Sequence, residues 1–214
     1  MRGLYLVTDR GLAGDRPLEE VVLAAVEGGA GVVQLREKEL ATRAFVESAR
    51  RLKALLEPRG IPLIVNDRVD VALAAGADGV HLGQEDMAYP DARALLGPDA
   101  IIGLSVETPE DVREAEGFDV DYLGVSPIFP TPTKTDTKGA WGLDGLAEVR
   151  RMSRHRLVAI GGLNATNAAD AIRAGADAVA VVSAICAAAD PRRAAEELAA
   201  VVDAALADRE PARR

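Results

Sequence analysis

The polar side chains that could do chemistry fall in short, well-separated runs. One is Gln34-Leu35-Arg36-Glu37-Lys38, which continues a β-type stretch. Side chains alternate along a strand, so Gln34, Arg36 and Lys38 share one face and Leu35 takes the other. If Leu35 packs outward, an amide and two cations face inward. Burying them without a partner is costly, so an anionic ligand is their natural complement. The competing reading is an outer-face ion-pair ladder with Glu37 and Glu39. Val65-Asn66-Asp67-Arg68 and Gly83-Gln84-Glu85-Asp86 would set Asp67 and Asp86 atop adjacent strands, ~4.8 Å apart. Two carboxylates together with phosphate oxygens suit Mg2+, which seldom accepts an all-protein cage. Alternatively, Asp67 caps a helix beginning near Val69 and Asp86 is a solvated loop residue. Thr131-Pro132-Thr133-Lys134 offers hydroxyls and an ammonium to phosphate. Gly161-Gly162 and Val182-Ser183 offer close backbone approach and a helix start with free N–H groups, although a double glycine can also be a plain turn.

These runs describe two anion sites. One is metal-assisted and flanked by Arg36, Lys38 and Lys134; the other is metal-free and made of backbone N–H groups. Two phosphorylated small molecules, one of them a diphosphate, account for the duplication. His81 reads as a hydrogen-bonded core residue within a strand, and Cys186 as packing in an Ala-rich helical run. The sequence holds no zinc-spaced Cys/His set, no GxSxG and no Walker loop.

The elements that must hold these residues are legible from periodicity. Eight β-branched runs are expected as strands: Leu4–Thr8, Val32–Leu35, Pro62–Val65, Gly79–Leu82, Ile101–Leu104, Tyr122–Val125, Leu157–Ile160 and Ala178–Val182. Helical stripes lie between most of them, such as Leu18, Val21, Val22, Ala25 and Val26, or Phe45, Ala49, Leu52 and Leu56. A joint recurs at Gly29-Ala30-Gly31, Gly76-Ala77-Asp78 and Gly175-Ala176-Asp177, where the glycine is expected to cap a helix before a strand. Repeated βα units of about 25 residues predict a closed (β/α)8 TIM barrel over 1–208, with a frayed tail at 209–214. An open doubly wound sheet is the competing fold, but no GxGxxG follows the first strand. In the barrel reading, every polar run lies at a strand's C-terminal end, where such barrels keep their active sites. The stretch 126–141 carries three prolines and is expected to be a long functional loop.

Composition narrows the classes further. The 214 residues are 49% hydrophobic and 28% charged, typical of a globular domain. Aromatics are only 3%, so Ala, Val, Leu and Ile must build the core. A formal charge of −9 argues against nucleic-acid or anionic-membrane partners. One cysteine rules out an internal disulfide and fits a reducing compartment. No signal peptide or bilayer-spanning run is seen, so a soluble cytoplasmic protein is expected. A homodimer stays open, because the acidic helical surfaces mark no dimer face.

Taken together, YLVTD at 5–9, VQLREK at 33–38, VND at 65–67, GVHLGQED at 79–86, GLS at 103–105, PIFPTPTK at 127–134, IGG at 160–162 and VVS at 181–183 resemble the thiamine phosphate synthase family, in order and over nearly the whole chain. The resemblance implies a (β/α)8 barrel that joins 4-amino-2-methyl-5-(diphosphooxymethyl)pyrimidine to a thiazole phosphate. By matching position, Gln34, Leu35, Arg36, Glu37, Lys38, Asn66, Ser105 and Lys134 would bind the pyrimidine diphosphate. Within that set Arg36, Lys38, Lys134 and Ser105 would be catalytic. Asp67 and Asp86 would hold one Mg2+. Thr131, Pro132, Thr133, Gly162, Val182 and Ser183 would bind the thiazole phosphate. The implied reaction breaks the carbon–oxygen bond first, giving a pyrimidine methyl cation, so no protein nucleophile is needed. Two positions depart from the family pattern: Glu107 stands where a His is common, and Ser126 where a Gly is common. A thiazole tautomerase on the same barrel, or a non-catalytic sensor of a phosphorylated ligand, would release no diphosphate.

Overall fold

Eight parallel strands pair in sequence order: β1 (Gly3–Val7), β2 (Ala30–Leu35), β3 (Leu63–Asn66), β4 (Gly79–Leu82), β5 (Ile101–Val106), β6 (Tyr122–Val125), β7 (Leu157–Ile160) and β8 (Ala178–Val181). β1 closes the barrel against β8, from Gly3 opposite Ala178 to Leu6 opposite Val181. The structure, a computed structural model, describes residues 1–131 and 139–209. The fold is therefore the single (β/α)8 barrel that the βα rhythm predicts. Around it run α1 (Arg10–Ala13), α2 (Leu18–Glu27), α3 (Thr42–Leu56), α4 (Val69–Ala75), α5 (Tyr89–Leu96), α6 (Pro109–Ala115), α7 (Gly142–Met152), α8 (Ala168–Arg173), α9 (Ser183–Cys186) and α10 (Pro191–Arg209). Among the described residues, no helix is long and apolar enough to cross a membrane.

Strand alternation sorts the core into two layers. Leu4, Leu6, Val33, Leu35, Leu63, Val65, Val80 and Leu82 point outward and pack with the helices. Tyr5, Val7, Val32, Ile64, Tyr122, Val158, Ala178 and Ala180 fill the interior as a separate cluster. The predicted helical stripes are the buried faces of α2 and α3. Strand β5 runs two residues beyond its expected end because Ser105 and Val106 pair with Gly124 and Val125. Polar Ser105 hides that extension from a reading of apolar runs.

The recurring joint has the expected backbone, with positive φ at Gly29 (104°), Gly76 (65°) and Gly175 (125°). Only Gly76 is itself the cap; Gly29 and Gly175 stand one residue past Gly28 and Ala174. The aspartates beside these joints have a structural task. Asp78 accepts from Leu63 N at 2.8 Å and Asp177 from Leu157 N at 3.0 Å; Asp121, before β6, accepts from Ile102 N at 2.8 Å. Each pairs with a cation: Lys53 at 2.8 Å, Arg150 at 3.2 Å and Arg93 at 3.4 Å, respectively. Arg209, expected in the frayed tail, instead closes α10 and donates to Asp177 Oδ1 at 2.8 Å. Residues 210–214 lie outside the described residues. Cys186 is fully buried, its thiol 3.7 Å from Val7 O, and burial pushes that thiol up to about 11.

Candidate active site

A cavity of about 490 Å³ opens where the C-terminal strand ends meet their following loops. Its polar wall begins on β2. Gln34 points inward and Leu35 outward, so the predicted register holds, and Arg36 and Lys38 continue the inner face. Thr8, fully buried at the end of β1, accepts the Arg36 backbone N–H at 3.1 Å. Asp9 caps α1 through Leu12 N at 3.0 Å and also stands 3.7 Å from the Arg36 guanidinium. Both residues of that Thr-Asp pair therefore steady Arg36.

Two expected binding side chains lie elsewhere. Leu35 is buried in the outer layer. Glu37 turns to Arg10, whose Nη2 donates to its Oε1 at 2.7 Å. The β2 strand ends at Leu35, so strict alternation has no ladder to enforce it at Glu37. The outer ion pair considered for this run thus exists, but it takes Glu37 and not Arg36 or Lys38.

Asn66, Asp67 and Asp86 line the same wall. Asp67 is not a helix cap: α4 starts after Arg68 with no side-chain cap. Among the described residues Asp67 is the one non-glycine residue with positive φ, 64°, in a three-residue turn closed by Arg68 N on Asn66 O at 2.8 Å. That turn is of the rare, strained kind, tolerated best by Asp or Asn. It aims the carboxylate at Lys38 Nζ, 2.7 Å away. Asp86 accepts from Gly83 N at 2.7 Å. Burial raises its carboxyl above the ordinary range, and the neighbouring Asp67 adds to the rise against the opposing Gly83 amide. Two crowded hard-oxygen donors of this sort fit Mg2+. No cluster of three or more His, Cys, Asp or Glu suited to a metal occurs among the described residues.

The opposite wall is backbone-rich. Gly161 and Gly162 have φ of 102° and 67°, and a Cβ on either would strike Pro127 or Phe129. Their carbonyls accept from Phe129 N at 3.0 Å and Asn167 Nδ2 at 3.0 Å, respectively. Val182 and Ser183 also line this wall. The first turn of α9 is closed by Ile185 and Cys186 donating to Val182 O, which leaves the amides of Ser183 and Ala184 ahead of it. Thr131 reaches the cavity, whereas Pro132, Thr133 and Lys134 lie outside the described residues. The two ends of the long loop are tied together by Trp141 N on Pro127 O and Gly142 N on Ile128 O, both at 2.9 Å.

Of the floor residues, Gln34 and Ser105 are expected from the sequence, whereas Tyr5, His81 and Tyr122 are not. Tyr5, His81, Ser105 and Tyr122 all face the cavity and form one hydrogen-bonded row with Gln34. His81 is hydrogen-bonded, as expected, but it is a cavity residue and not core filling. Burial holds both phenols well above the ordinary tyrosine range, so they stay protonated. Glu107 and Ser126, the two departures from the family pattern, line the cavity as well. Strand parity could have flagged His81, which sits two residues before Gly83 on the inward register.

Barrel and mouth together define a (β/α)8 enzyme with its polar residues gathered at the C-terminal end. The thiamine monophosphate synthase family matches residues 4–185, and the chain belongs to it. It is 62% identical over 185 residues to a thiamine-phosphate synthase of Albidiferax ferrireducens, covering 86% of this chain and 84% of that one. A thiamine-phosphate synthase of Leptospira biflexa is 54% identical over 192 residues, covering 88% and 91%. The solved thiamine phosphate pyrophosphorylase of Pyrococcus furiosus superposes with a TM-score of 0.88 at 42% identity, covering 95% of this chain and 96% of that one. The chain is accordingly a transferase.

Proposed function

We propose that this enzyme joins 4-amino-2-methyl-5-(diphosphooxymethyl)pyrimidine to a thiazole phosphate, giving thiamine phosphate and free diphosphate. The observation that carries the reading is the shared cavity: Arg36, Lys38, Asp67 and Asp86 form one wall, and Gly161, Gly162, Val182 and Ser183 another. Arg36 and Lys38 bind the diphosphate, and Asn66 and Ser105 hold the pyrimidine. Asp67 and Asp86 would hold Mg2+, which when bound supplies further neutralisation of the leaving group. The backbone wall, with Thr131, takes the thiazole phosphate.

The methylene–oxygen bond breaks with its electron pair leaving on diphosphate. The thiazole nitrogen then donates its lone pair to the methylene carbon. Arg36 and Lys38 stabilise the charge that develops on the departing oxygen. The far wall fixes the thiazole in line, converting the second step into a local encounter. No proton must leave a carbon or a nucleophile, consistent with a floor of protonated phenols. Pyrophosphate release that requires both substrates and Mg2+ is the expected result. Absence of release with both present would refute the reading; conversion of a thiazole phosphate alone would point to the tautomerase.

A further inference from the structure

The polar row on the cavity floor has a direction. Gln34 Nε2 donates to Tyr5 OH at 2.9 Å, and Tyr5 OH is 2.9 Å from Tyr122 OH. Tyr122 OH is 3.0 Å from His81 Nδ1, and His81 Nε2 is 2.9 Å from Ser105 Oγ. Tyr5 is 1% exposed, and among the described residues its hydroxyl bonds to Gln34 and Tyr122. Gln34 sets its amide nitrogen, which can only donate, on Tyr5 and lies against the Tyr122 hydroxyl as well, so among the described residues the acceptor for the Tyr5 proton is Tyr122. Tyr122 must then pass its own proton toward His81 Nδ1. The opposite order would bury the Tyr5 proton without an acceptor, an omission folded proteins avoid.

The row is also built sterically. His81, Gly103 and Tyr122 lie side by side on β4, β5 and β6. A Cβ on Gly103 would enter the Tyr122 ring, and one on Gly124 would come 2.9 Å from His81 Cε1. With those side chains missing, the two rings stack across β5 at a centroid distance of 5.5 Å and 21°.

We propose that Gln34, Tyr5 and Tyr122 act as positioning residues that hold His81 in its Nε2–H tautomer. Ser105 is thereby an acceptor from His81 and directs its own hydroxyl proton into the cavity. As a fixed donor, Ser105 selects a heteroaromatic ring nitrogen carrying a free lone pair over a C–H or N–H at that position. The identity of that ring as the aminopyrimidine rests on the function proposed above; the direction of the row does not.

The chain has two histidines, so 15N-histidine spectra of the full protein, with His81→Asn for assignment, read the tautomer directly. His81 is expected with Nε2 protonated and Nδ1 bare. Tyr122→Phe should release it to a mixture, and Gln34→Glu, which puts an acceptor where the donor was, should shift the proton to Nδ1. A protonated Nδ1 in the unaltered protein overturns the proposal, as does a signal indifferent to both substitutions. Calorimetric binding of the pyrimidine diphosphate against its two pyridine analogues, each with one ring nitrogen replaced by C–H, tests the selection. One analogue should bind roughly tenfold or more weakly, and Ser105→Ala should erase that gap. An unchanged gap in Ser105→Ala overturns the donor role. If none of the three ligands binds, the function fails instead, and the spectra alone decide the direction of the row.

Discussion

Asp177 and Asp86 are both carboxylates at barrel-strand ends, yet their surroundings are opposite. At the N-terminal end, Asp177 accepts the Leu157 N–H and is clasped by Arg150 and Arg209. At the C-terminal end, Asp86 has one backbone donor and a second carboxylate, Asp67, pressing on it. Asp78 and Asp121 repeat the Asp177 arrangement, so one end satisfies its charges within the protein. The other end turns Arg36, Lys38, Asp67 and Asp86 toward the cavity. A barrel can thus separate what holds it closed from what it does.

That contrast can be broken most forcefully at Asp67. Asp67→Asn, which tolerates the same turn, should cut pyrophosphate release by about 10³-fold, equivalent to ~4 kcal/mol of barrier. Calorimetry should find its melting temperature nearly unchanged; a collapsed Tm would mean that the two ends are not separate. Asp177→Ala should do the reverse. Leaving Arg150 and Arg209 facing an empty acceptor should cost about 3 kcal/mol, or roughly 6–12 °C in Tm, with kcat preserved below the transition. A kcat falling in parallel would contradict it.

Smaller effects sharpen the same line. Glu37→Gln weakens the bond to Arg10 and should cost about 1 kcal/mol in urea unfolding, leaving KM for both substrates alone. A raised KM would return Glu37 to the cavity wall. Asp86 gives the smallest stability effect, and its sign is the informative part. Its folded carboxyl is raised, so the folded state holds the proton more tightly than the unfolded one. Its contribution therefore turns unfavourable as pH rises through the folded value. Metal-free Asp86→Asn should melt slightly higher than the parent at neutral pH, on the order of 1 °C. The gap should close as pH falls toward the ordinary carboxylate range, and a gap that widens on acidification would reverse the assignment.

Much of this geometry could be read from local pattern. Leu35 fixed the facing of Gln34 and Arg36 because a strand's two-residue period is a local property. The glycine joints announced the βα rhythm because positive φ is specific to that residue. Glu37 escaped because it lies past the end of β2, where no ladder constrains it. The Tyr5–Tyr122–His81 floor escaped for another reason. It depends on lateral register among strands far apart in sequence, and on Gly103 and Gly124, whose meaning lies in the side chains they lack. The strained turn at Asp67 likewise becomes visible only once backbone angles are known.

The lone thiol, on the last residue of α9, makes the molecule its own stopwatch. Sealed against the backbone of β1 and held in its unreactive form, Cys186 is shielded from a disulfide reagent until the barrel seam opens. The rate of its labelling in native buffer would therefore time that opening without any added probe.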